Sequence, residues 1–100
     1  MNNVIKVSPV WTKDLVARRA IEFMQFRHEV RRARWNYHDA CSRYRSKEKV
    51  SGYIDKEDPK FRRATRKQYL ALHEAKAALY NAQRRLETAV RNCRDSREAI

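Results

Sequence analysis

Apolar residues recur at helical spacing along two long stretches of the chain. In the first, Phe23, Phe26, Val30, Ala33, Tyr37, Ala40 and Tyr44 follow one another at steps of three and four. That spacing places them on one face of a helix. Val16 and Ala20 extend the face backward less regularly. In the second stretch Leu72, Ala75, Leu79, Ala82, Leu86, Ala89 and Cys93 alternate a large and a small residue at the same steps. Phe61 continues this register backward, and Thr65 and Gln68 are expected to weaken it. The alternation of apolar and polar residues that marks a strand is absent from both stretches.

Breakers and caps delimit the same two segments. Pro9 lies in a short N-terminal segment, and Gly52 and Pro59 bracket a loop. Thr12 suits an N-cap, with Asp14 near the positive end of the helix dipole. Gly52 suits the left-handed position after a helix end, and Lys47 and Lys49 stand where cations are favoured. Asp58 followed by Pro59 is a helix start, a side-chain acceptor before a residue that lacks an N–H. Three pairs with the acid four residues ahead of the base, Asp14–Arg18, Asp39–Arg43 and Glu87–Arg91, each add about 0.2–0.5 kcal/mol.

The predicted fold is therefore all-α: a single domain over 1–100, an antiparallel two-helix hairpin in the manner of a coiled coil. Residues 1–11 form an extended segment, 12–49 helix 1, 50–58 a loop and 59–97 helix 2. Each helix spans roughly 50–60 Å at 1.5 Å per residue. Residues whose numbers sum to about 107 then lie opposite, which puts Tyr44 near Arg63, Phe23 near Arg84 and Cys93 near Asp14. Ala75, Ala82 and Ala89 allow close approach to the larger rings of helix 1. A hairpin buries one stripe per helix, a thin core for a chain of this size. Apolar residues also lie off the seam: Tyr69, Leu70, Ala71, Ala77, Ala78, Tyr80 and Val90 on helix 2, and Ile21, Met24 and Trp35 on helix 1. The hairpin is therefore expected not to stand alone, but to dimerise into a four-helix bundle or lay an apolar face on another protein. Val4, Ile5, Val7, Val10 and Trp11 either fold over one end or dock on a partner.

Charge changes the picture most. The chain has 24 Lys and Arg against 12 Asp and Glu, a formal net charge of +12. Arginines outnumber lysines 16 to 8, and guanidinium grips phosphate or carboxylate with two bonds and stacks on rings. The cations form three clusters. Arg43, Arg45, Lys47 and Lys49 face Lys60, Arg62, Arg63, Arg66 and Lys67 near the hairpin tip, and residues 59–73 contain no acid. Arg27, Arg31, Arg32 and Arg34 lie mid-helix with Trp35 and Tyr37. Lys13, Arg18 and Arg19 lie with Arg84, Arg85, Arg91, Arg94 and Arg97 at the open end. Trp35 falls opposite the seam, among Arg31, Arg32, His38 and Asp39, where it is expected to stack a base or anchor a protein interface, the alternatives being packing on the N-terminal segment or a second protomer, or incidental exposure.

Composition and motifs exclude much. One Gly leaves no room for a phosphate-binding loop, a dinucleotide fingerprint or a nucleophile elbow. Cys41 and Cys93 are too far apart in the hairpin for a disulfide, and Cys93 is expected as a small seam residue. His38, Cys41 and His73 lack a tight zinc motif, so no metal is expected. No Ser–His–acid arrangement or close carboxylate pair points to catalysis, and a rigid hairpin has little concave volume. No enzyme activity, cofactor or small-molecule substrate is expected. No apolar run approaches the roughly 18–20 residues of a membrane span, and no signal-peptide pattern opens the chain. The expected setting is cytoplasmic, without a membrane partner.

The leading functional expectation is a non-enzymatic protein that binds nucleic acid or a nucleoprotein complex, mainly through phosphates. The tip residues Arg43, Arg45, Arg62, Arg63, Arg66 and Lys67 would grip backbone. Arg31, Arg32, Arg34 and Trp35 would make a second contact. The alternative is a protein-binding inhibitor or regulator, the class that includes many virus-encoded accessory proteins. It would dock on an acidic surface or in the nucleic-acid channel of an enzyme complex, with Trp35, Tyr69, Leu70 and Tyr80 as anchors. A second alternative is a homo-oligomeric structural or assembly subunit.

Overall fold

The computed structural model describes residues 11–98, with side chains through residue 95. The expectations for residues 1–10 lie outside the described residues. Two helices make up the structure, α1 (Lys13–Glu48) and α2 (Pro59–Glu98). They pack antiparallel into a rod of 68 × 30 × 18 Å. Among the described residues there is no strand.

Each end of α1 is closed as its sequence allows. Thr12 has an extended backbone (φ −100°, ψ 165°), and its Oγ1 accepts the Leu15 N–H at 3.2 Å. Asp14 lies in the first turn, and Arg45 and Lys47 in the last. The left-handed closing position is taken by Lys49 (φ 54°), not by Gly52 as expected. The Lys49 and Val50 N–H groups donate to the Ser46 and Arg45 carbonyls at 3.4 and 3.0 Å. These two bonds are the Schellman closure, and they require the positive φ one residue after Glu48. Gly52 still uses its freedom (φ 84°), within the loop, where its carbonyl accepts the Arg45 guanidinium.

The loop prepares the next helix. Asp55 accepts the Glu57 N–H on its side chain and the Asp58 N–H on its carbonyl. Asp58 Oδ1 then accepts the Lys60 N–H at 2.9 Å, the expected cap ahead of Pro59. Cross-helix pairs fix the register: Glu48–Lys60, Tyr44–Phe61, Tyr37–Tyr69 and Glu22–Arg85. All four lie within two of the expected sum. Arg85 reaches across to Glu22 of α1, and the Arg84 guanidinium lies 5.8 Å from the Tyr80 ring centre.

The core runs as one seam along the rod. Val30, Ala40 and Tyr44 of α1 are buried, as are Phe61, Leu72, Ala82, Ala89 and Cys93 of α2. Tyr44 and Phe61 meet edge to face at 5.2 Å, a geometry worth about 0.5–1.5 kcal/mol beyond the area it buries. Ala82 and Ala89 are 0% and 1% exposed, so the seam is fully closed over them. Phe23, Phe26, Ala33 and Tyr37 on α1, and Ala75, Leu79 and Leu86 on α2, are half-buried, the consequence of a single seam.

Two further expectations change. Thr65 does not weaken the register but is among the most buried residues, at 2% exposed. Its hydroxyl donates to the Phe61 carbonyl one turn back at 3.0 Å, so the methyl can pack in the seam. Of the three intrahelical pairs, Asp39–Arg43 forms at 3.2 Å. Glu87 instead accepts from Gln83 at 3.1 Å, and Asp14 makes no ion pair with Arg18. Exposed pairs of this type are worth too little to hold two long side chains together. Both cysteines are free, and Cys93 is buried in the seam as expected.

Candidate functional site

The tip of the hairpin carries a groove on each broad side, because residues flanking the seam on α1 and α2 point the same way there. One groove, of about 530 Å³, is lined by Ala40, Arg43, Tyr44, Lys47 and Glu48 of α1 and by Lys60, Arg63, Ala64 and Gln68 of α2. Its charges are partly tied. Lys60 Nζ lies 2.6 Å from Glu48 Oε1, and that hydrogen bond raises the Lys60 pKa above its ordinary value. Arg43 is held by Asp39. The Tyr44 hydroxyl at the floor of this groove is also raised, first by burial and then by the carboxylates of Asp58 and Glu48.

The opposite groove, of about 380 Å³, is more apolar and more aromatic. Tyr37 reaches it from α1, Lys56 and Glu57 from the loop, and Phe61, Arg62, Thr65, Arg66, Tyr69 and Leu70 from α2. Arg62 is fixed in place, with Nε donating to the Lys56 carbonyl at 3.2 Å and Nη2 pairing with Glu57 at 2.9 Å. Four rings run along this side. His38 lies 6.1 Å from Tyr37 and Tyr37 lies 5.9 Å from Tyr69, both tilted. His73 is nearly parallel to Tyr69, at 6.3 Å and 15°. The Tyr37 hydroxyl is raised above its ordinary pKa, first by burial, then by the neighbouring Cys41 and Tyr69.

The residues expected to grip a polyanion fall into two groups. Arg43 pairs with Asp39, Arg45 with the Gly52 carbonyl, Arg62 with the loop, and Arg32 with Glu29 at 3.0 Å. Each of these four has a partner within the protein, and all four side chains remain exposed. Arg31, Arg34, Arg63, Arg66 and Lys67 are exposed and make no ion pair with another described residue. Trp35 is 75% exposed on the outer face of α1, away from both grooves. Tyr69 and Leu70 line the aromatic groove, while Tyr80 stands apart under Arg84.

The expected tip cluster therefore divides between two sides of the rod. The ring series was missed, because Tyr37 reads as a seam residue and His38 and His73 read only as weak candidate metal ligands. A signal for it does exist in the sequence: Arg62, Arg66, Tyr69 and His73 each follow a seam position by one residue, which places them on a common flank. Toward the open end, Glu22 serves both Arg85 at 3.0 Å and Arg19 at 3.6 Å. Ile21 and Met24 are exposed on the outer face of α1. Among the described residues no group of three or more His, Cys, Asp or Glu side chains is placed to hold a metal ion. No described helix is long and apolar enough to cross a membrane. No family model, curated protein or solved structure matches the chain.

Proposed function

We propose that this protein is a non-enzymatic binder of nucleic acid, alone or within a nucleoprotein complex, and that it contacts mainly phosphates through its arginine-rich surface. One observation carries the reading: Arg31, Arg34, Arg63, Arg66 and Lys67 are exposed without a carboxylate partner on a chain of net charge +12. Such a surface repels itself and attracts a polyanion. The bias toward arginine adds donors that match phosphate oxygens in pairs. The rod form suits a ligand that is long and uniformly charged, since cations occur along both helices and not in a single recess.

The test is a titration of the full chain with fluorescently labelled mixed-sequence DNA and RNA at two salt concentrations. Each phosphate contact predicts an affinity loss of about 3- to 4-fold between about 50 and 200 mM salt, so the fall should be steep. Replacing Arg63 or Arg34 by Gln is expected to weaken binding to all sequences alike and to lower the salt slope by about one. Absence of binding at low salt would overturn the reading and turn the basic surface toward an acidic protein partner.

A further inference from the structure

We infer that the aromatic groove at the hairpin tip is a stacking site for an unpaired nucleobase, so that the ligand is single-stranded nucleic acid gripped at Tyr69 and Arg66. This rests on the reading above and narrows it to one class of nucleic acid. Tyr69 is 53% exposed, yet its ring is set by neighbours on two sides, Tyr37 tilted at 5.9 Å and His73 nearly parallel at 6.3 Å. A ring held in this way presents a surface with little freedom left to lose on binding. Leu70, 43% exposed, continues the apolar surface. Arg66 lies about one turn before Tyr69 on the same flank, lines the same groove and has no carboxylate partner. The only carboxylate on the lining, Glu57, is occupied by Arg62.

The groove thus sets a π surface beside an uncommitted guanidinium, the pairing that a base and its own phosphate require. Its volume of about 380 Å³ falls in the roughly 300–1,000 Å³ range of small-ligand sites. That size suits a single base. In a duplex both faces of each base are covered by its neighbours, so only an unstacked base can enter. The raised pKa of Tyr37 agrees with a recess that water solvates poorly.

The test compares a labelled oligothymidylate with a duplex of equal length at one salt concentration, using the full chain. The Tyr69→Leu variant keeps an apolar side chain at an exposed position. It is expected to weaken the single strand by roughly 5- to 100-fold and leave the duplex unchanged, while Tyr69→Phe restores single-strand binding. A second measurement does not depend on a loss. In a chain with Trp11→Phe and Trp35→Phe, a Tyr69→Trp substitution should be quenched by the oligothymidylate and not by the duplex. Equal loss for both ligands in Tyr69→Leu, or no quenching by the single strand while salt-dependent binding persists, would remove the stacking site and leave the phosphate-binding reading intact. Failure of the parent chain to bind either ligand at low salt would remove both.

Discussion

Thr65 and Ala82 show how little room the seam has. Thr65 enters a buried position only because its hydroxyl bonds to the Phe61 carbonyl within its own helix. Ala82 has no exposed surface at all, and a larger side chain there has nowhere to go without separating the helices. Ala82→Leu should therefore destabilise by about 1–3 kcal/mol. Ala77→Leu, on the exposed face five residues earlier, should be nearly neutral, within about 0.5 kcal/mol. Thermal unfolding followed by circular dichroism measures both. Equal melting temperatures for the two variants would mean that the close approach at Ala82 is not tight in solution.

At the scale of elements, the chain reversal is the least uniform part of the hairpin. Lys49 holds a left-handed conformation that costs an L-residue about 1–2 kcal/mol. Glycine adopts it freely but loses more chain entropy on folding. Lys49→Gly should thus stabilise by about 0.5–1 kcal/mol, seen as a higher urea midpoint. The same corner has an alkaline limit. Lys60 and Tyr44 both have folded pKa values above their ordinary 10.5 and 10.0. The folded state therefore holds these protons more tightly than the unfolded chain does. Their contribution is full below about pH 10 and is lost as the pH climbs through the raised folded values. Melting temperature should fall from about pH 9.5 to 11. Glu48→Gln, which removes the acceptor for Lys60 and a carboxylate near Tyr44, should make that fall shallower.

For the molecule as a whole, net charge opposes a thin core. A rod with one seam and +12 of charge repels itself over distances near the Debye length of about 10 Å at 0.1 M salt. Its own ion pairs are mostly exposed and contribute little. Added salt should therefore raise the melting temperature between about 20 and 300 mM NaCl, at fixed protein concentration. A fall over that range would show that the ion pairs outweigh the repulsion. A bound polyanion should stabilise in the same direction, by neutralising the surface that the salt screens.

The heptad steps, the Thr12 and Asp58 caps and the short loop were enough to read two antiparallel helices and their register from the sequence. These features depend on neighbours within a turn or two, and a 3.6-residue period leaves few alternatives for a chain without strand alternation. The excess of arginine and the absence of acid from 59–73 were equally legible, because charge is a property of the residues themselves. Other features required both helices to be in place. Only the packed hairpin brought Glu48 to Lys60 and Glu22 to Arg85 from one helix to the other. It also set Thr65 in the core and joined Tyr37 of one helix to Tyr69 of the other. Each of these outcomes turns on where a side chain sits across the seam from residues distant in sequence, and spacing along a single helix carries no such information.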